Sequence, residues 1–181
     1  MDMWPLLILV VVALGVFVLY NQLVKLKVMA DGAWSDIDVQ LKRRYDLVPN
    51  LVETVKGYAS HEKGTLEAVV NARARAMSAQ GPAERAEAEN MLTGTLKSLF
   101  ALAEAYPQLR AAENFGQLQG QLSGIEDAIQ NARRYYNAVV RDLNTKVLQF
   151  PSNLVARTFG FREREFFEMD AAERSVPKVS F

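Results

Sequence analysis

"FGQLQGQLSGIEDAIQNARRYYNAVVRDL", Phe115 to Leu143, is the stretch whose spacing decides the fold. Its apolar residues are Phe115, Leu118, Leu122, Ile125, Ile129, Ala132, Tyr136, Val139 and Leu143, recurring at alternating steps of three and four. Such a seam keeps facing a partner only when helices cross at about 20°, as in bundles and coiled coils. The helix is predicted over Glu113 to Gln149, 37 residues or roughly 55 Å, with Phe150-Pro151 ending it. Arg133, Asn137 and Asn144 border the seam on a flanking stripe. Polar groups there either hydrogen-bond between helices or form a site for a ligand or partner, so these three are the candidate interaction stripe. Gly116, Gly120 and Gly124 resemble a small-residue contact motif and are expected to let a neighbouring helix approach.

The preceding segments repeat the helical period, and no stretch alternates apolar and polar residues as a strand would. Trp34, Ile37, Leu41, Tyr45, Val48, Val52, Val55 and Ala59 form one stripe, with Pro49 inside it, where a kink or local break is expected. Gly57 and Gly64 mark a bend. An alanine-rich helix is predicted over Thr65 to Gln80, and a third over Ala83 to Ala105 with Leu92, Leu96, Leu99 and Ala103 on one face. Outward faces with little bulk at Ala68, Ala72, Ala76 and Ala86 would allow contact with another subunit.

The N-terminal stretch "WPLLILVVVALGVFVLY" runs from Trp4 to Tyr20 without a charge, and its apolar character continues to Val24. Trp4 to Val24 makes roughly 31 Å of helix, which matches the hydrocarbon core of a bilayer. Its Leu, Ile, Val and Phe residues favour insertion by roughly 4–7 kcal/mol. Trp4 and Tyr20 stand where interfacial aromatics belong, and Lys25 and Lys27 flank the span. The leading Met1-Asp2-Met3 has no basic residue, so an uncleaved anchor is expected rather than a signal peptide. The lysines after the span predict that the following domain faces the cytoplasm, with a periplasmic or extracellular location as the alternative. The expected organisation is therefore an anchor over residues 1–24, a helical domain over 25–170 and a tail over 171–181.

Chemistry is sparse. The chain has 21 basic and 21 acidic residues and no cysteine, so no net field calls for nucleic acid and no thiolate or disulfide is available. The single histidine, His61, lacks the second histidine of a zinc-binding helix and is expected in a solvent-facing turn. No serine stands in a nucleophile elbow, and no glycine-rich phosphate loop appears. Glu84, Glu87, Glu89, Glu104, Glu113 and Glu126 each have Arg or Lys nearby and are expected on a solvated charged face. No catalytic, cofactor-binding or metal-ligating residue is identified.

In this order of parts the chain closely resembles the LemA family of bacterial membrane-anchored helical proteins. The resemblance lies in "AWSDIDVQLKRRYDLVPNLVETVKGYASHE" (Ala33 to Glu62), Ala72-Arg73, "YPQLRAAENFGQLQGQLSGIEDAIQNARRYYNAVVRDLN" (Tyr106 to Asn144), "FPSNLVARTFGF" (Phe150 to Phe161), "FFE" (Phe166 to Glu168) and the terminal "VPKVSF". It implies an antiparallel bundle of long helices without an established enzymatic activity, in a family with relatives associated with magnetosome membranes. The resulting expectation is an all-α protein, with a transmembrane helix followed by about four long antiparallel helices, single-pass in the bacterial inner membrane. It is expected to be a non-enzymatic scaffold that forms a homo-oligomer or binds envelope proteins and takes no cofactor. The alternative is a module recognising a lipid headgroup or peptide beside the fourth helix.

Overall fold

The computed structural model describes residues 3–167, and among them every regular element is a helix. In chain order these are α1 (Trp4–Tyr58), α2 (Lys63–Ser78), α3 (Gly81–Glu104), α4 (Pro107–Arg110), α5 (Glu113–Leu148) and α6 (Ser152–Phe159). The end of the predicted anchor and the first predicted segment belong to one helix, because the residues between them, Asn21 to Ala33, hold no proline and only one glycine. Helix boundaries for α2, α3 and α5 fall close to those expected from the periodicity.

The break expected at Pro49 is absent, since α1 continues through it. A proline inside a helix removes the N–H that would serve the carbonyl four residues earlier. Here that carbonyl belongs to Tyr45, and Arg73 of α2 donates its Nε to it at 2.7 Å. The orphaned acceptor is satisfied from a neighbouring helix, so the ladder tolerates the gap.

The chain separates into two compact units. The second, built from Ile37–Asn131, has a continuous core of Val48, Leu51 and Val55 from α1, Leu66, Val69, Ala72 and Ala76 from α2, and Leu92, Leu96 and Leu99 from α3. Leu109, Phe115 and Leu122 complete it, and the Phe100 and Phe115 rings lie 6.0 Å apart. Ala72, Ala76 and Ala86, expected on outward faces, are buried; only Ala68 of that set is exposed. Their small size serves close packing inside the unit. The expectation for Gly116, Gly120 and Gly124 also fails: all are exposed, and a Cβ at any of them would meet no neighbour. They lie off the heptad seam, whose Phe115, Leu122 and Ile129 are buried.

The first unit joins the start of α1, up to Asp36, to Ala132–Phe166. Leu23, Ala30 and Ala33 of α1, Tyr136, Val139, Val140 and Leu143 of α5, and Val155 and Ala156 of α6 are its buried hydrophobic residues. Trp34 and Tyr136 pack with ring centroids 5.3 Å apart. Gly160 ends α6 in the left-handed conformation at φ 74°, and the Phe161 N–H donates to the Ala156 carbonyl at 2.9 Å, closing the helix as a C-terminal glycine motif does. Ahead of these elements, the apolar run of α1 is almost wholly exposed, and α1 is the one described helix long and apolar enough to cross a membrane.

Candidate functional site

The most concentrated polar chemistry lies inside the second unit. Arg44 of α1 is fully buried and donates Nη1 to Glu89 Oε2 of α3 at 3.2 Å and Nη2 to Thr93 Oγ1 at 2.7 Å. Its Nε lies 3.1 Å from Glu126 Oε1 of α5, a carboxylate that keeps some contact with solvent. Tyr45 donates its hydroxyl to Glu89 Oε1 and is also within 3.3 Å of the Ala76 carbonyl. At the edge of the cluster, Arg85 pairs with Asp38.

Glu89 therefore corrects the expectation of a solvated acidic face: it has no exposure at all. A buried carboxylate is tolerable only when paired and hydrogen-bonded, and here a guanidinium and a phenol supply both. The sequence carried a signal for this. Glu89 extends the Leu92, Leu96, Leu99 series by one step of three, and Arg44 stands between Leu41 and Val48 at steps of three and four. Both occupy seam positions, where a charge needs a partner.

Burial, then the hydrogen bond to Glu89, push the Tyr45 hydroxyl well above the usual tyrosine range, so it stays protonated at neutral pH. Arg44 offers no exposed surface to a substrate. What the arrangement does is tie α1, α3 and α5 together through directional bonds. Among the described residues no group of His, Cys, Asp and Glu could hold a metal ion. His61 is exposed in the turn between α1 and α2.

The stripe predicted on α5 lies in the first unit. Asn144 binds backbone at both ends of its amide: Nδ2 donates to the Arg164 carbonyl at 2.9 Å, and Oδ1 accepts the Arg164 N–H at 2.8 Å. Tyr136 adds a hydroxyl bond to the Glu165 carbonyl at 3.0 Å, and Arg164 pairs with Asp31 of α1. Asn144 thus holds the extended segment after α6 much as a strand partner would. Burial raises the Tyr136 hydroxyl above its ordinary pKa. Arg133 and Asn137 are half-buried, each with a partner of its own. The backbone groups that Asn144 and Tyr136 hold belong to an irregular segment and leave no residue pattern in the sequence to mark them.

The sequence profile of the LemA family matches residues 33–181. Protein LemA of Metamycoplasma hominis is 26% identical over 158 residues, covering 85% of this chain and 71% of that protein. Magnetosome protein MamQ 2 of Paramagnetospirillum magneticum is 24% identical over 175 residues, and magnetosome protein MamQ of Magnetospirillum gryphiswaldense 24% over 174. Each of the two magnetosome alignments covers 82% of this chain and 64% of the relative, so the chain spans less than two thirds of those proteins. The chain belongs to the LemA family.

Proposed function

We propose that this protein is a non-enzymatic, membrane-anchored scaffold that associates with copies of itself or with other envelope proteins. In this reading Trp4–Val24 spans the bacterial inner membrane once. The long helices form an antiparallel bundle on the cytoplasmic side, where Lys25 and Lys27 favour placement. One observation carries the self-association. Val70, Ala74 and Met77 lie on one outward face of α2 at steps of four and three, all exposed. A solvent-facing apolar stripe of this kind suits a weak helix-to-helix contact. The bonds that Asn144 makes to the Arg164 backbone favour this reading over a headgroup or peptide site at the α5 stripe.

The natural absence of cysteine makes the test direct. A Met77→Cys variant, treated in spheroplasts with a membrane-permeant bis-maleimide, is expected to give covalent dimers, while an impermeant analogue gives none. Absence of dimers with the permeant reagent sinks the self-assembling scaffold. Dimers formed by the impermeant reagent overturn the cytoplasmic placement.

A further inference from the structure

The first unit leaves large apolar side chains in solvent beside the end of the apolar span. Leu148 is 61% exposed, Phe150 74%, Leu154 56% and Phe159 53%. They occupy the end of α5, the turn after it and the outer side of α6, whose other side buries Ser152, Val155 and Ala156. Ring contacts fix their level along α1. Phe159 meets Tyr20 edge-on at 4.9 Å and Phe161 does so at 5.8 Å, and Tyr20 closes the charge-free run that starts at Trp4. α5 descends to the same level. Tyr136 packs against Trp34, while Leu143 shares a cleft with Tyr20 and Val24. From Leu143, α5 runs a further five residues, about 7 Å, to its end at Leu148, and Phe150 follows in the turn.

Charge is matched to this position. Lys25, Lys27, Arg157 and Arg162 are all exposed in the first unit, and Asp31, which follows the two lysines on α1, is already paired with Arg164. The cleft of about 680 Å³ between α1 and residues 159–164 opens among Tyr20, Lys27, Phe161 and Arg162. Aromatic and aliphatic side chains level with the end of a span, bordered by exposed cations, are what the headgroup layer of a bilayer accommodates.

We infer that α6 and the turn before it lie in the headgroup layer of an anionic bilayer, a second membrane contact beside the span. Phe150, Leu154 and Phe159 sink among the headgroups and acyl ends, while Lys25, Lys27, Arg157 and Arg162 meet lipid phosphates. The inference rests on Trp4–Tyr20 being a membrane span, so its test must read the two separately. Four single-cysteine variants of the full chain, Leu9→Cys, Glu87→Cys, Leu154→Cys and Phe159→Cys, are spin-labelled in nanodiscs of phosphatidylcholine and phosphatidylglycerol. Collision rates are then compared for oxygen, which concentrates in the acyl region, and for a water-soluble nickel chelate. The expected oxygen-to-nickel ratio is highest at position 9, lowest at 87, and several-fold above 87 at 154 and 159. Ratios at 154 and 159 equal to that at 87, with position 9 still immersed, overturn the inference and leave the span intact. Labels at 154 and 159 shielded from both probes indicate a protein partner and also overturn it. A water-exposed position 9 removes the span and the inference together.

Discussion

Arg44 and Glu89 place a full positive and a full negative charge where neither meets water. Removing one member of such a pair strands the other, at a cost of about 3–5 kcal/mol, whereas replacing both by apolar residues is often near neutral. Glu89→Leu alone should therefore destabilise the protein by about that amount, and Arg44→Met with Glu89→Leu by clearly less, because Glu126 keeps some access to solvent. Thermal melts of the two single variants and the double variant check this; strictly additive losses would show that the pair is not coupled. Tyr45 makes a separate prediction. Its hydroxyl is held above the ordinary tyrosine value by burial and by Glu89. Below about pH 10 both folded and unfolded chains keep this proton, so its stabilising contribution is fully present. Above that, the unfolded chain releases the proton and the folded chain retains it, so stability falls as pH rises. Tyr45→Phe should flatten that alkaline decline relative to wild type in melts taken from neutral pH to about pH 11. An unchanged slope would mean the hydroxyl is not shielded. Arg44 and Glu89 were legible in principle, since both stand on apolar seams. Glu89 is expected on a solvated face because an exposed glutamate is the commoner case, and Arg44 is not singled out by the sequence reading.

At the scale of elements, Pro49 and Arg73 form a unit that neither helix explains alone. Arg73→Ala should leave the Tyr45 carbonyl without its partner and cost about 1–3 kcal/mol. In a Pro49→Ala background, α1 supplies its own N–H to that carbonyl, so the same arginine substitution should cost noticeably less. Denaturant unfolding of wild type, both single variants and the double variant measures the coupling. Equal costs in the two backgrounds would separate the proline from the arginine. The four longer helices were readable from their periods because each runs long enough to repeat a seam several times. Two short ones were not. Pro151 follows the end of α5 as the spacing predicts but also stands at the N-cap of α6, and Pro107 is the first residue of α4. A proline's fixed φ suits the start of a helix as well as it ends one. Four and eight residues show no periodicity by which to tell the two roles apart.

For the whole molecule, the two units draw on the same two long helices, α1 and α5, so neither is a separate stretch of chain. The outward stripe on α2 is small, and tethering in a plane raises the effective concentration at which a weak contact forms. The cross-link at Met77→Cys should accordingly fade when membranes are dissolved in excess detergent; persistence on dilution would indicate a tighter interface than this stripe provides. The outward face of α2 was not legible in the sequence, because buried and exposed small residues look alike until the packing is known. The continuity of α1 from Trp4 past Asp36 has a mechanical side. A span that is longer than the hydrocarbon layer around it tilts to hide its excess length. With no glycine or proline between Tyr20 and Ala30, any lean of the proposed span would pass into the part of α1 that holds Leu23 and Ala30. If Trp4–Val24 spans a bilayer as proposed, the thickness of that bilayer would set the lean of this part of α1, and lipid composition alone would reset it.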